Sequence, residues 1–514
     1  MSMFDDESAR GFLYTDQYQL TMAQLYFRAG LHERAVQFDL LFRDYPDYGE
    51  HKAGYCICAG LEPLLQWIEQ TRITESDLEC LRNHKDTAGN RIFDDAFLAW
   101  LGANGTFEHL DLDAVPEGRV IHPHTPVLTV RGPLAIAQIL ETALLNHVTY
   151  PILVATKASR IRKAGEHRPL LEFGLRRAQS WAANAGTRAA LVGGADFSSN
   201  TGASHALGIP PKGTHAHSMV QVFLGLGEEE IDAFRAFADT YPDNCILLVD
   251  TLDTLGSGVP NAIRVFEELR GRGHQPRGIR LDSGDLAYLA VESARMLNDA
   301  GFEDVAIVLS GDLDELALWQ ILQQIRDDAP RAGLNPEEVI GRLIYGVGTN
   351  LITSMGAPAL QAAYKLVAVR HQDQWRPTVK ISETPAKTPT PGEKVLWRIY
   401  DNRGKANADV LAAPDEDLSA VDSLDLHHPV DPHRRRTLTG DQISRTEKLL
   451  RPFRCHGKRL EEAPTLEEMR HRRDADLDTL DAGVRRLVNP HTYHVSLTTT
   501  MWQTKTRLVS QMSK

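Results

Sequence analysis

The run IRLDSGDLAYLAVESARMLNDAGFEDVAIVLSGD, residues 279–312, holds one complete repeat of the fold and the start of the next. A short β-rich run ends in the polar group DSGD. Leu286, Leu289, Ala290, Met296 and Leu297 then recur at helical spacing, with Ser283 placed to cap the helix and Gly301 to stop it. A second β-rich run, ending in SGD, follows.

The same texture extends in both directions. β-Rich runs end at LLEFG (170–174), LVGGAD (191–196), THAHS (214–218), CILLVD (245–250) and LIYGVGTN (343–350). The markers Phe173, Gly194, His217, Asp250, Asp282, Ser310 and Gly346 are 21, 23, 33, 32, 28 and 36 residues apart, the period of βα units. Seven such units favour a (β/α) barrel over an open doubly wound sheet. In a barrel the C-terminal strand ends converge on one face, so these residues would share a site, whereas an open sheet would spread them over several crevices.

Outside the repeats, residues 1–120 mix short helical and strand patterns and are expected to form an N-terminal α/β domain. In LYTDQYQLTMAQLYFRAG (13–30), Thr15 or Asp16 can cap a helix whose apolar positions include Leu20, Ala23 and Phe27, ending at Gly30. The barrel is expected over 121–370. Residues 371–514 read as an accessory region packing on the N-terminal domain, with a polar loop (382–394), an acidic-then-basic stretch (415–436) and a mostly helical tail. The basic PHRRR at 432–436 reads as a solvated loop.

A chain of 514 residues, 42% hydrophobic and 24% charged, can bury a large core. No run reaches the ~18 apolar residues of a membrane span. The opening MSMFDDESARGF lacks the charged-then-apolar pattern of an export signal, so a cytoplasmic location is expected. Five cysteines, of which only Cys56 and Cys58 are close together, give neither a disulfide framework nor a CxxC site. A formal charge of −13 argues against nucleic acid as the main partner. Small anionic substrates fit where basic residues converge.

GTHAHS (213–218) sets His215 and His217 two apart, and on a strand their rings would share a face. Three readings stand for the pair: two metal ligands, a nucleophile or proton relay backed by a carboxylate, or one packed and one solvated histidine. Asp250 and Asp282 can orient an imidazole, accept from ribose hydroxyls or hold a divalent cation, and Arg176, Arg177, Arg280 and Lys212 can neutralise anions. SGD (310–312) and GVGTN (346–350) suit backbone amides near a phosphate. An isolated glycine motif is more often a turn, and a strand-end Asp more often a helix cap.

TDQYQLTM, EFGLRRAQ, SSNTGAS, GTHAHS, LDSGDL, LSGDLDE, YGVGTNL and YKLV occur in this order. In that combination the chain resembles the nicotinate phosphoribosyltransferases, from about residue 12 to the C-terminus. The resemblance implies an irregular (β/α) barrel of the type II phosphoribosyltransferase kind, with a second α/β domain built from the N-terminal and C-terminal regions. It implies that nicotinate and phosphoribosyl pyrophosphate give nicotinate mononucleotide and pyrophosphate. ATP hydrolysis and Mg2+ would accompany the reaction, in the Preiss–Handler route of NAD salvage, with active sites shared in a homodimer.

The resemblance makes His217 the histidine that ATP phosphorylates and Asp250 the carboxylate that orients it. Phe173 corresponds to a ring that stacks on the pyridine, Arg176 to a guanidinium facing it or a neighbouring phosphate, and Tyr18 to an aromatic residue closing the other side from a second subunit. Thr214 and Arg280 fall to the nicotinate carboxylate, and Asp282 to ribose hydroxyls or metal-bound pyrophosphate. Ser310, Gly311, Gly346, Gly348 and Thr349 fall to the 5′-phosphate, and Lys365 to the phosphates from the partner subunit. Asn200 lies where nicotinamide-using relatives carry an acidic residue, so preference for the acid over the amide is expected.

His215 stands where bulky apolar residues are common and Gln17 where Leu is common, so neither is expected in the chemistry. Two other classes compete with this reading. A metal-dependent barrel hydrolase could use His215 and His217 as zinc ligands, but no further His cluster follows on the next strand ends. A silent nucleotide sensor is opposed by the intact His217, Asp250 and Asp282.

Overall fold

The computed structural model describes residues 10–512, and the acidic stretch that opens the sequence lies outside them. The fold is mixed α/β. Contacts divide it into two compact units: Val154–Pro358, and a second that joins the described residues up to Leu153 to those from Ala359 onward.

The Val154–Pro358 unit contains six parallel strands: β1 (Leu170–Glu172), β2 (Phe197–Ser198), β3 (Ile246–Leu248), β4 (Gly278–Leu281), β5 (Ala306–Gly311) and β6 (Leu343–Val347). Their order across the sheet is β2-β1-β6-β5-β4-β3. Except for β2 and β3, strands adjacent in sequence are adjacent in the sheet, and the last pairs with the first through Tyr345 and Leu170. The β2–β3 ladder that a closed ring would need is absent among the described residues. Helices Ser180–Gly193, Val259–Gly271, Leu286–Asp299 and Glu315–Asp328 supply crossovers between parallel neighbours. Ile279, Leu281, Ile307, Leu309, Tyr345 and Val347 are fully buried, which is why these strands read as apolar runs.

Two of the seven expected strand ends are not strands. LVGGAD (191–196) is the last turn of helix Ser180–Gly193 with the loop after it, and the strand follows at Phe197. That helix is tightly packed, since a Cβ on Gly193 would sit 2.1 Å from Ala155 O, and its buried end lacks the polar stripe that marks an amphipathic helix. THAHS (214–218) runs from an irregular stretch into His217, the first residue of helix His217–Gly225. Pro210 and Pro211 have no N–H to give a ladder. The stretch instead bonds to both open strand edges: Lys212 N–H donates to Ser198 O (2.9 Å), and Leu248 N–H donates to His215 Nε2 (3.0 Å).

The second unit carries a seven-stranded sheet in the order Gln374–Pro377, Ala362–His371, Ala35–Phe42, Pro126–Pro133, Asp111–Ala114, Arg451–Cys455 and Lys458–Arg459. Because Pro126–Pro133 and Ala362–His371 both pair with Ala35–Phe42, the boundaries fall at 153/154 and 358/359 rather than at 120 and 370. Helix Gln17–Arg28 starts after Asp16, but the Asp16 carboxylate accepts from Thr142 Oγ1 (2.7 Å) instead of capping it. Phe38 stacks on Tyr364 at 4.6 Å within the core of this unit.

Residues 371–514 carry a sheet as well as helices, and the tail beyond 436 mixes short strands with its two helices rather than being mostly helical. The six-stranded sheet runs Arg435–Thr439, Ser423–His427, His494–Thr498, Ala406–Ala412, Val395–Tyr400 and Arg445–Lys448, joined by helices Leu466–Thr479 and Thr499–Met512. Beneath the charges of 415–436 and the strand that follows lies a period-two signal, with Leu424, Leu426 and Leu438 buried. Arg435 and Arg436 of the basic run sit on a strand, where Arg436 donates to Asn407 Oδ1 (2.9 Å). Arg398, fully buried, pairs with Asp409 (2.8 Å) and Asp476 (3.1 Å), and Arg119 pairs with Asp476 (2.8 Å) and Glu447 (2.7 Å). No helix among the described residues is long and apolar enough to cross a membrane.

Candidate active site

The C-terminal ends of β3 to β5 and the start of helix His217–Gly225 bring polar side chains together within the Val154–Pro358 unit. Asp250 lies just past β3, and its side chain is 1% exposed. Its Oδ2 accepts from Asp282 N–H (2.9 Å) and from the Ser283 hydroxyl (2.7 Å). Ser283 is therefore not the helix cap, a role taken by Asp285, which accepts from Tyr288 N–H (3.1 Å). The other oxygen, Asp250 Oδ1, is buried with no hydrogen-bond partner and lies 3.8 Å from His217 Nε2. His217 Nδ1 is 3.1 Å from the Thr251 hydroxyl, and the ring is 37% exposed. The imidazole thus has an oriented back and an open front.

The two histidines do not share a face. His215 Nε2 takes the Leu248 N–H and its ring lies 4.9 Å from Phe237, so burial pushes its pKa down to about 4 and the neutral ring closes a strand edge. That nitrogen is unavailable for zinc. The group of three metal-ligand side chains found among the described residues includes neither histidine.

Arg280, on β4, organises the second half of the site. Its guanidinium donates to Asp282 Oδ1 (2.7 Å), Ser310 Oγ (2.8 Å) and Thr214 Oγ1 (3.2 Å), and its Cζ is 5.4 Å from the Phe173 ring centroid. The Ser310 hydroxyl donates to Asp282 Oδ1 (2.5 Å). Burial would raise the Asp282 pKa, but the bonds from Ser310 and Arg280 prevail and hold it below the usual carboxylate value. With Oδ1 so occupied, Asp282 offers a metal its second oxygen alone. That fits a Mg2+ carried on substrate phosphates better than a resident cage.

The glycines have packing reasons of their own. A Cβ on Gly346 would lie 2.5 Å from the Phe173 ring, and one on Gly311, at φ 111°, 2.6 Å from Asp282 O. Gly348 sits against Phe173 O, and Thr349 opens the short helix Thr349–Ile352. Arg176 and Arg177 are exposed on the turn Leu175–Arg177, and Lys212 is exposed with its Nζ 5.4 Å from the Phe197 ring. Asn200 is buried and fully engaged: its carbonyl caps helix Thr201–Ala206 through Ala203 N–H (3.1 Å), and its amide donates to Asn184 (2.9 Å) and Thr187 (3.2 Å).

Two residues escaped sequence reasoning. Thr251 touches His217, and its only signal is its place beside Asp250. Glu172, fully buried, accepts from the Thr187 (2.9 Å) and Ser198 (2.6 Å) hydroxyls and from Gly174 N–H, fixing the ends of β1 and β2. An acid inside the apolar run LLEFG was the available clue. Tyr18 and Lys365 belong to the other unit. Tyr18 is 50% exposed on helix Gln17–Arg28, and Lys365 lines a small pocket with Arg43, Lys387, Lys505 and His124. Burial and the nearby Lys394 push Lys505 down to about 8.

Three family descriptions match successive parts of the chain: the nicotinate phosphoribosyltransferase N-terminal domain over residues 13–149, the nicotinate phosphoribosyltransferase family over 169–403, and the C-terminal domain over 393–505. The chain is 37% identical to the nicotinate phosphoribosyltransferase of Bacillus subtilis over 99% of its own length and 97% of that protein's. It is 33% identical to the human nicotinate phosphoribosyltransferase, over 94% of each. The crystal structure of human nicotinic acid phosphoribosyltransferase superposes with a TM-score of 0.78 at 29% identity, covering 96% of this chain and 99% of that one. A nicotinate-nucleotide pyrophosphorylase from Pyrococcus furiosus shares the fold, with a TM-score of 0.65 at 20% identity over 93% of this chain and 99% of that one. The strand-end site, carried on a match this even from one end to the other, places the chain in the nicotinate phosphoribosyltransferase family.

Proposed function

We propose that this protein transfers the phosphoribosyl group of phosphoribosyl pyrophosphate to nicotinate, giving nicotinate mononucleotide and pyrophosphate in NAD salvage, with ATP hydrolysed through a phosphohistidine at His217. The observation that carries the phosphohistidine is the buried, unpartnered Asp250 Oδ1 facing His217 Nε2. An orphaned carboxylate oxygen is costly, and an imidazole N–H turned toward it from Nε2 would relieve that cost, while Nδ1 attacks a phosphoryl group once the Thr251 hydroxyl gives way. Thr251 holds the ring on its far side. ATP loses its γ-phosphoryl group to the ring, ADP leaves, and water later takes the phosphoryl group as inorganic phosphate and returns the imidazole.

At the second half of the site, Arg280 and Thr214 bind the nicotinate carboxylate while the Phe173 ring lies along the pyridine. The pyridine nitrogen attacks C1 as the C1–oxygen bond to pyrophosphate breaks and pyrophosphate leaves intact, and positioning supplies most of what the protein contributes. Asp282 Oδ2 would hold magnesium borne by the pyrophosphate, where the ion neutralises leaving-group charge. Asn200 puts no carboxylate in this region, which supports nicotinate over nicotinamide.

The ring order of the six strands, with residues 209–216 bridging the open edges, supports an irregular barrel of the type II kind. Exposed Val222 on the helix that begins at His217, and Leu226 just past its end, support a homodimer, and Tyr18 and Lys365 would then act from the partner subunit. The test is separation of nicotinate mononucleotide from nicotinate after reaction with phosphoribosyl pyrophosphate and magnesium, with and without ATP. ATP-stimulated product is expected. Equal catalytic efficiency with nicotinamide would overturn the assignment of the base.

A further inference from the structure

The hairpin of strands Arg451–Cys455 and Lys458–Arg459 gathers three ligand-type side chains at the edge of the seven-stranded sheet. Cys455 ends the first strand. His456 and Gly457 form a two-residue turn with φ of 50° and 76°, and Asp111 opens the neighbouring strand Asp111–Ala114. A carboxylate oxygen, a thiol sulfur and an imidazole nitrogen from these residues all lie within 4.8 Å of one another, the only such group among the described residues.

The arrangement is held by the backbone rather than by the side chains themselves. His456 N–H donates to Asp111 Oδ1 (2.7 Å), and Gly457 packs where a Cβ would come 3.2 Å from Glu108 O. Apart from that one bond, the three side chains make no hydrogen bond or ion pair among the described residues. Cys455 is a half-buried free thiol, and His456 is exposed. Three donor groups therefore converge, with the thiol, the imidazole and the second oxygen of Asp111 unspent.

We propose that Asp111, Cys455 and His456 bind one divalent cation of the zinc class. A thiolate, an imidazole and a single carboxylate oxygen make a borderline-soft donor set, which suits zinc and disfavours magnesium or calcium, whose shells are all oxygen. The thiol loses its proton to solvent as the metal–sulfur bond forms. Three protein ligands leave the fourth tetrahedral position to water, and the ion clamps the hairpin turn to strand Asp111–Ala114. This site is independent of the nicotinate chemistry, so either can fail without the other.

Cobalt(II) titrated into the full-length, metal-free protein reads the site through thiolate-to-cobalt charge-transfer absorption. The band is expected to saturate at about one equivalent per chain and to be displaced by zinc. It should persist in Cys80→Ser and vanish in Cys455→Ser. Asp111→Asn and His456→Asn should each need roughly tenfold more cobalt or beyond, since each removes one of three ligands. Absence of a saturating thiolate band in the unaltered protein, or a band that survives Cys455→Ser, would overturn the proposal.

Discussion

At the scale of single residues, the site depends on which oxygen of Asp250 is spent. Oδ2 is fixed by Asp282 N–H and Ser283, so the carboxylate cannot rotate away, and Oδ1 is left facing His217. Asp250→Asn keeps the shape but removes the charge that supports the imidazole. ATP-stimulated synthesis should fall by about 10²-fold or more, while synthesis without ATP changes little. Steady-state rates with and without ATP check this. Gly346→Ala drives a methyl group into the Phe173 ring, at an overpacking cost of about 1–3 kcal/mol. Its expected signature is a raised KM for nicotinate with a lowered unfolding midpoint. The chemical types at the strand ends were legible in the sequence because polar residues there interrupt apolar runs. Thr251, Glu172 and the true partner of Ser283 were not, because each role is set by a neighbour distant in the chain.

Among elements, the stretch 209–216 decides how the sheet is finished. It stands between β2 and β3 in sequence and bonds to both their edges, so it takes a strand's place without a strand's ladder. Five of the expected strand ends were legible because buried parallel strands are short apolar runs ending in polar residues. The helix end at LVGG shares that apolar texture, and the HxH pair imitates alternation, so these two misled. In the C-terminal sheet, charge obscured period-two patterning, and the buried Arg398 and Arg119 networks explain why so many charged residues belong to strands. Burial opposes ionisation of Glu447, but Arg119 and Tyr400 hold its pKa down at about 2. A carboxyl depressed in the folded state stabilises above its unfolded value, about 4.5, and loses that contribution as pH falls toward its folded value. The denaturant midpoint of Glu447→Gln should therefore lie below that of the unaltered protein near neutrality, and the gap should close between about pH 4.5 and 2.

For the whole molecule, helix His217–Gly225 would link the chemistry to assembly in the proposed homodimer, since its first residue is the proposed phosphoryl acceptor and Val222 on it and Leu226 just past its end are 58% and 74% exposed. In a homodimer that apolar surface is covered. Val222→Asp with Leu226→Asp should give a monomer by light scattering and lower turnover with His217 intact; an unchanged dimer would place the interface elsewhere. Family membership was legible in the ordered motifs, whereas composition alone gave no more than a large soluble-type core. In the proposed mechanism ATP acts through His217. The most direct measurement is incubation with γ-labelled ATP, followed by tests of acid lability and peptide mapping. Label that is acid-labile, maps to His217 and disappears in His217→Ala together with ATP stimulation is the predicted result. Full ATP stimulation in His217→Ala would contradict it.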